Sequence, residues 1–351
     1  MKHPLSQYHY SISEKNIGRT PKEPRHDARL FVYNTTTDTI TFDTFLNIDT
    51  YLPKSSLVVL NNTGVIPARV VFTKDTGGKI DGLVLINEGF DTEGALPVIV
   101  DKNMFPGRRI ALGDYWFTIT RQRDQRFYIK PDSNPERISE ILEQLGTTPT
   151  PYYLGDLNMT ESQLRDRYQT TFAQNKKSVA APTASLHITP EVLNRLQNQG
   201  IIITEITLDV GLGTFADIEQ KNVDEKFLHS ELLFISSESR KKIYDTKQAM
   251  GPVVAVGTTV VRTLESQSSQ LLTEGEDALA TETNIFILPG YDFKIVDHLV
   301  TNFHVPESSL MALVDAFLIH KKSRRNLVEL YQVAIDNGFM FYSFGDSMLI
   351  I

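Results

Sequence analysis

The chain has 351 residues, 41% hydrophobic and 22% charged, with a formal net charge of −8 and no cysteine. That composition suits a folded chain of two domains with a sizeable core, and it excludes disulfides, thiolate metal sites and a cysteine nucleophile. The negative balance also excludes a blanket attraction to nucleic acid, so any RNA contact has to use a local basic patch.

The opening residues MKHPLSQYHYSI carry no apolar core of signal-peptide length, and no window approaches ~18 uninterrupted apolar residues, so the expectation is a cytoplasmic protein without a membrane contact. Pro21-Lys22-Glu23-Pro24-Arg25 disfavours helix and predicts an extended surface segment. Residues 29–33 and 39–42 are rich in β-branched and aromatic side chains around a polar NTTTD, which predicts a hairpin. Residues 57–60 predict a short buried strand that runs into Asn61-Asn62-Thr63-Gly64, and in open α/β sheets such strand ends hold ligands.

From residue 70 to about 131, six short segments (VVFTK, GLVLI, LPVIV, RRIALG, YWFTITRQ, RFYIK) alternate with Gly, Asp and Asn. They predict a small all-β unit, closed so as to hide its edges. Ile138, Ile141, Leu142 and Leu145 then fall at helical spacing before Gly146. Sequence of α/β character brackets this unit, so it reads as an insertion: residues 1–69 and 153–351 form a main domain and residues 70–152 an inserted barrel, with Pro149-Thr150-Pro151 as the return linker.

Residues 165–189, RDRYQTTFAQNKKSVAAPTASLHIT, follow neither the helical nor the strand period. Arg165, Arg167, Lys176 and Lys177 bring positive charge, Tyr168 and Phe172 flat apolar faces, and Ser178, Thr183, Ser185 and His187 short hydrogen-bonding groups beside Ala180-Ala181-Pro182. Small residues let a ligand approach the backbone, although a long surface loop would read the same way. After Pro190, helices at 190–198, 236–249, from about 258, 308–320 and 324–337 alternate with strands at 201–208, 252–256 and 284–288. The fold class is therefore α/β, a main domain with a mixed sheet covered by helices plus a small inserted β-barrel. Residues 266–283 are polar and acidic and predict a solvated insertion.

Three later stretches have the character of a site. Asp209-Val210-Gly211-Leu212-Gly213-Thr214 sets two glycines one apart after an apolar strand, which is also what a plain turn looks like. Gly257-Thr258-Thr259-Val260-Val261-Arg262 puts hydroxyls and amides at a helix start, where anionic or hydroxyl-rich groups are favoured. Asn302, His304, Glu307 and Ser308 gather around Pro306, partly as ordinary capping, and His304 could equally be a satisfied core histidine. His229 and Glu231 are two apart and would share one face of an extended strand as a base and its orienting carboxylate. No H-E-x-x-H, phosphate loop or G-x-S-x-G is present, so a metal site, nucleotide hydrolysis by a P-loop and a serine elbow are not expected.

The blocks DRYQTTFA, SVAAPTASLHIT, TLDVGLGTF, HSE, AVGTTVVRTLES, PGYDFKIVDHLVTNFHVPESSL and FYSFGDSMLI, with EPRHDARL and VLNNTGVIPAR before them, stand in the order found in the S-adenosylmethionine:tRNA ribosyltransferase-isomerases of the queuosine pathway. The chain resembles that family over nearly its whole length. The resemblance implies transfer of the ribosyl part of S-adenosylmethionine, as co-substrate and without a metal, to a 7-aminomethyl-7-deazaguanine base in tRNA. Adenine and methionine leave and epoxyqueuosine forms, with the chain acting as a monomer. Chemistry of this kind needs a base for the proton beside the sulfonium. His229 oriented by Glu231 is the first choice and His187 or His304 the second. Arg69, Tyr168 and Gln169 are expected to meet the RNA, and Arg167, Thr183, Asp209, Gly211, Gly213, Thr214, Gly257, Thr258, Thr259, Arg262 and Asn302 to hold substrate, all converging on one cleft.

Where the family pattern reads N-D-T-R-V-I-P-A-R, this chain has Asn62 and Gly64 in place of the acid and the arginine; Asp209 replaces a histidine, and Ser185 and Ile188 replace glycine and phenylalanine. Loss of a five-donor guanidinium and of an imidazole leaves two other readings open at this point: a paralogue that uses S-adenosylmethionine on another acceptor, and a non-catalytic RNA-binding scaffold. If Asp209 faces a histidine in the cleft, Asp209→His should alter turnover more than S-adenosylmethionine binding.

Overall fold

A computed structural model describes residues 3–155, 157–211 and 218–351. The chain begins its sheet with the expected antiparallel hairpin, β1 (Arg29–Asn34) and β2 (Thr39–Thr44). β3 (Leu57–Asn61) follows and leads into the short β4 (Thr63–Val65). The six apolar segments become β5 (Arg69–Lys74), β6 (Lys79–Val84), β7 (Leu96–Val100), β8 (Arg109–Leu112), β9 (Tyr115–Arg123) and β10 (Arg126–Pro131). These close into an antiparallel barrel in the order β10-β7-β6-β5-β8-β9, so no edge is left to pair with another chain. Beyond it come β11 (Asn175–Ser178), which pairs with β4, then β12 (Ile202–Leu208), β13 (Phe227–Ile235), β14 (Val253–Val256), β15 (Leu279–Ile285), β16 (His298–Asn302) and β17 (Ser347–Ile350).

The main sheet runs β15-β13-β12-β3-β14-β16-β17-β1-β2, and its four central neighbours β12, β3, β14 and β16 are parallel. Parallel strands covered on both faces need unbroken apolar runs, and every residue of β3 and β14 is buried. Because side chains alternate across a strand, Leu57, Val59, Val253 and Ala255 join the core under the helices Thr258–Ser266, Ser309–His320 and Leu327–Asp336. Val58, Leu60, Val254 and Val256 join the opposite core, roofed by the helix Pro190–Asn198 and the 3-10 turn Phe45–Tyr51. The helices expected after Pro190 all form, with a mixed sheet between them.

The barrel has its own core, including Phe72, Ile80, Val98, Phe117 and Ile129, closed by Ile138, Ile141 and Leu142 of the helix Ile138–Leu145. Arg165 fastens that helix: its guanidinium donates to the carbonyls of Glu143 (2.7 Å) and Gly146 (2.6 Å), satisfying helix-end acceptors with a cation. The chain's outward and return crossings touch, since a Cβ on Gly146 would lie 1.7 Å from the Pro67 carbonyl oxygen and Arg69 bridges to Thr147.

Two sequence expectations fail here. The polar run at 266–283 is mostly exposed, as expected, but it carries structure: Ser268–Leu271 is helical, and the strand expected at 284–288 begins earlier, as the edge strand β15 paired with β13. At the sheet edge residues 280–282 are exposed in succession, so β15 accepts Thr281 and Glu282 and its polarity hid it. β13, β16 and β17 are additional to the predicted strands, and β13 is the one that reorders the site. Among the described residues, no helix is long and apolar enough to cross a membrane.

Candidate active site

A cleft opens at the carboxyl ends of the central parallel strands, the position open α/β sheets offer to ligands. Val210 two residues past β12, Gly257 directly after β14 and Asn302 at the end of β16 all line it. The opposite wall comes from the stretch that followed neither period: Tyr168 and residues 180–184, whose Ala180, Ala181, Pro182 and Ala184 keep the wall thin. Gly257, with φ of 101°, turns the chain from β14 into the helix Thr258–Ser266, a conformation that L side chains rarely adopt. Its helix start then faces the cleft, and Thr258, Thr259 and Arg262 follow at spacings that place them on neighbouring parts of one helix face.

Three donors here are buried without a partner: Thr259 Oγ1, Arg262 Nη2 and Asn302 Nδ2. Unmet buried groups cost roughly 1–3 kcal/mol each, so together they mark where a ligand's acceptors belong. The rest of each group is fixed. Asn302 Oδ1 accepts from Thr183 Oγ1 (2.8 Å), and Arg262 Nη1 is paired with Glu231, whose other oxygen accepts the Gly211 N–H (3.0 Å). Both side chains of that ion pair are almost fully buried, at 7% and 1% exposure.

His304 stands two residues past the end of β16. Its Nε2 lies 2.8 Å from Thr301 Oγ1, its N–H donates to Tyr331 Oη (3.0 Å), and its carbonyl accepts from Tyr10 Oη. Phe303 beside it stacks on Phe341 with centroids 4.6 Å apart, which pins the loop to the core. Burial lowers the His304 pKa to about 3, so the imidazole is neutral at pH 7.

The structure thus gathers Tyr168, Thr183, Gly257, Thr258, Thr259, Arg262, Asn302 and His304 on one cleft, with Glu231 and Gly211 directly behind Arg262. Gly213 and Thr214 lie outside the described residues. Other expected members stand elsewhere. His229 and Glu231 do not share a face: a β-bulge between Phe227 and Glu231 resets the alternation, leaving His229 exposed and Glu231 buried against Arg262. The orienting pair is thereby corrected, since both Glu231 oxygens are taken. His187 is buried outside the cleft lining, with Nδ1 3.2 Å from the Arg25 carbonyl. Gln169 holds the backbone of Val65 through both ends of its amide (2.9 and 3.2 Å) and is not among the residues lining the cleft. Arg69 is an exposed barrel residue, and Arg167 pairs with Glu23.

Asp209 is a further correction. It is buried behind the lining residue Val210, where Oδ1 accepts from Thr63 Oγ1 (3.1 Å), and it makes no contact with a histidine. Burial pushes its carboxyl above the usual range while the Thr63 hydroxyl pulls it down. Asn62 is used up in the same way by Glu205 and Thr207. At Gly64 a Cβ would sit 2.8 Å from Lys176 Cγ and 3.2 Å from Lys176 Cα. Gly64→Arg is therefore expected to lower stability by about 1–3 kcal/mol, and Gly64→Arg with Lys176→Gly to recover most of it, as measured by urea unfolding. An equal loss in both variants would show that Lys176 is not the obstacle.

Pro151, Tyr153, Tyr342 and Ser343 also line the cleft, though no spacing in the sequence points to them. The Tyr153 and Tyr342 rings lie 4.8 Å apart and Tyr153 Oη is 2.8 Å from Ser343 Oγ; burial pushes the Tyr153 phenol up to about 12. Tyr342 has a positive φ of 71°, uncommon for a bulky residue. No group of three or more His, Cys, Asp or Glu residues that could hold a metal occurs among the described residues.

The family profile described as "Queuosine biosynthesis protein" matches residues 5–350. Proteins named S-adenosylmethionine:tRNA ribosyltransferase-isomerase are similar along the full length: one from Fusobacterium nucleatum is 39% identical over 99% of this chain and 96% of its own. One from Desulfitobacterium hafniense is 38% identical over 99% of each. The crystal structure of the S-adenosylmethionine tRNA ribosyltransferase from Thermotoga maritima covers 99% of this chain and 100% of its own, at 29% identity and a TM-score of 0.55.

Proposed function

The chain belongs to the queuosine biosynthesis protein family, and from that premise we infer that it is an S-adenosylmethionine:tRNA ribosyltransferase-isomerase. It transfers and isomerises the ribosyl part of S-adenosylmethionine onto the 7-aminomethyl-7-deazaguanine base of a tRNA, giving epoxyqueuosine and releasing adenine and methionine. The full-length family match carries this reading. The three buried donors without partners support it, because S-adenosylmethionine brings a carboxylate at one end and ring-nitrogen acceptors at the other.

We assign the methionine carboxylate to Arg262 Nη2 and the start of the helix Thr258–Ser266, where a fixed cation and free helix-end amides favour an anion. Adenine falls to Asn302 Nδ2 and Thr259 Oγ1, donors that can follow it as it leaves with the bonding electron pair. Tyr168, Tyr153 and Tyr342 supply flat walls for the bases. The sulfonium acidifies the neighbouring ribose carbon, and His304, the histidine on the cleft lining, is the group placed to take that proton. The departures at Asn62, Gly64 and Asp209 all lie off that lining, so they do not argue for a different acceptor. On this reading residues 1–69 and 153–351 are the catalytic body, residues 70–152 are an inserted unit, and the protein works as a cytoplasmic monomer.

The test is incubation with S-adenosylmethionine and tRNA bearing the 7-aminomethyl base. Mass spectrometry is expected to find free adenine and the new nucleoside in equal amounts; no new nucleoside in the tRNA would remove the reading.

A further inference from the structure

We propose that a small cationic recess beside the cleft, walled by Lys22, Arg25 and Arg167, binds the phosphate of the tRNA nucleotide whose base enters the cleft; this rests on the tRNA-modifying reading above. The recess and the cleft share Ser343, and the next residue, Phe344, lines the recess while packing edge-on against the cleft residue Tyr168 at 5.9 Å between centroids. One ribose separates a nucleotide's base from its phosphate, and one residue separates these two cavities.

The cations are not a chance surface cluster. Arg25 has only 13% of its side chain exposed, and its guanidinium is held by the carbonyls of Gln169 and Asp166. Its own carbonyl faces His187 Nδ1, and since a carbonyl only accepts, Nδ1 carries the hydrogen. That bond also fixes the backbone at Arg25, because His187 is buried on the same recess wall and packed on Phe45 with ring centroids 5.2 Å apart. Lys22 is exposed and forms no ion pair with the described residues. Two acids stand nearby. Glu23 pairs with Arg167, and Asp166 lies 3.6 Å from Arg25 and 3.7 Å from Arg167; at 66% and 74% exposure both remain largely hydrated. A third carboxyl, Asp346, is buried and within electrostatic reach of both Lys22 and Arg29, so the cations rather than the acids are presented at the recess. A chain of net charge −8 needs such a patch to bind RNA, because phosphate neutralisation supplies much of the affinity.

Opposite charge changes at adjacent residues test this. Lys22→Glu is expected to raise the KM for tRNA roughly tenfold and to reduce the slope of log affinity against log salt by about 0.7–0.9, the value of one phosphate contact. Glu23→Gln is expected to lower that KM about two- to fivefold. S-adenosylmethionine affinity should stay at the wild-type value in both, which also shows that both variants fold. If tRNA KM and salt slope match wild type in Lys22→Glu, or if Glu23→Gln weakens tRNA binding, as loss of a purely structural pair with Arg167 would, the proposal is overturned. Wild-type turnover of the same tRNA carries the functional reading separately, so an active wild type with unaffected variants removes the recess alone.

Discussion

Arg262→Met is expected to destabilise the protein by about 3–5 kcal/mol, because it leaves the Glu231 carboxylate buried at 1% exposure with no cation. Glu231 accepts the Gly211 N–H at 3.0 Å, so Glu231→Gln removes the charge while keeping an acceptor for that amide. The double variant Arg262→Met/Glu231→Gln should therefore regain most of the lost stability in urea unfolding. Ligand binding should not return with it. Arg262 Nη2 is one of the three unmatched donors, and a lost charged hydrogen bond of about 1.5–3 kcal/mol corresponds to at least tenfold weaker S-adenosylmethionine binding by calorimetry. Wild-type affinity in the restored double variant would show that Arg262 serves the fold alone.

His304→Gln should reduce kcat by about 10²–10⁴ with S-adenosylmethionine affinity within about threefold of wild type, the signature of a lost general base. The pH dependence follows from the imidazole's burial. With a pKa of about 3 in the free protein, the base is already unprotonated at pH 5, so kcat/KM should show no acid limb from it between pH 5 and 8. A limb centred near the ordinary imidazole value of ~6.5 would place the base on another residue. Stability gives a second readout of the same burial. His304, His187 and His298 have folded-state values lowered by burial to about 3, 4 and 4. Below ~6.5 the unfolded chain therefore binds protons that the folded chain does not. Their contribution is present in full above pH ~6.5 and is lost as pH falls toward 4, at up to about 1.4 kcal/mol per pH unit for each. His304→Gln should remove one histidine's share of that slope; an unchanged slope would mean that His304 is not buried neutral.

The elements that local chemistry specifies were legible in the sequence. The six alternating apolar segments each became a barrel strand, and helix 190–198 fell where Thr189 and Pro190 set its start. The unbroken apolar runs at β3 and β14 fixed the sheet centre, since only a doubly covered strand tolerates them. The strand end at Gly257 identified one side of the cleft, because hydroxyls and amides at a helix start behind an apolar strand are local facts, whereas Asn302 was legible only as part of a polar cluster before a helix, its strand β16 unseen.

Which polar side chains face the cleft was decided only by tertiary structure. Period-2 counting put His229 beside Glu231, but a bulge set by pairing with β15 separated them and delivered Glu231 to Arg262, 31 residues away. Gln169, Asp209 and Asn62 read as ligand groups because their chemistry is that of ligand groups. In the fold they are held by Val65, Thr63, Glu205 and Thr207, away from the cleft lining, and sequence spacing carries no record of such long-range partners. Tyr342 and Ser343 entered the cleft for the converse reason: the C-terminal chain packs back onto Phe303 and Tyr153, contacts between residues 38 to 190 positions apart that no local period encodes. The sequence by itself therefore determined the fold class and the strand ends that hold the ligand, through local backbone and burial preferences. Competition among polar groups for distant partners, resolved only on folding, determined which of those groups remain free to meet it.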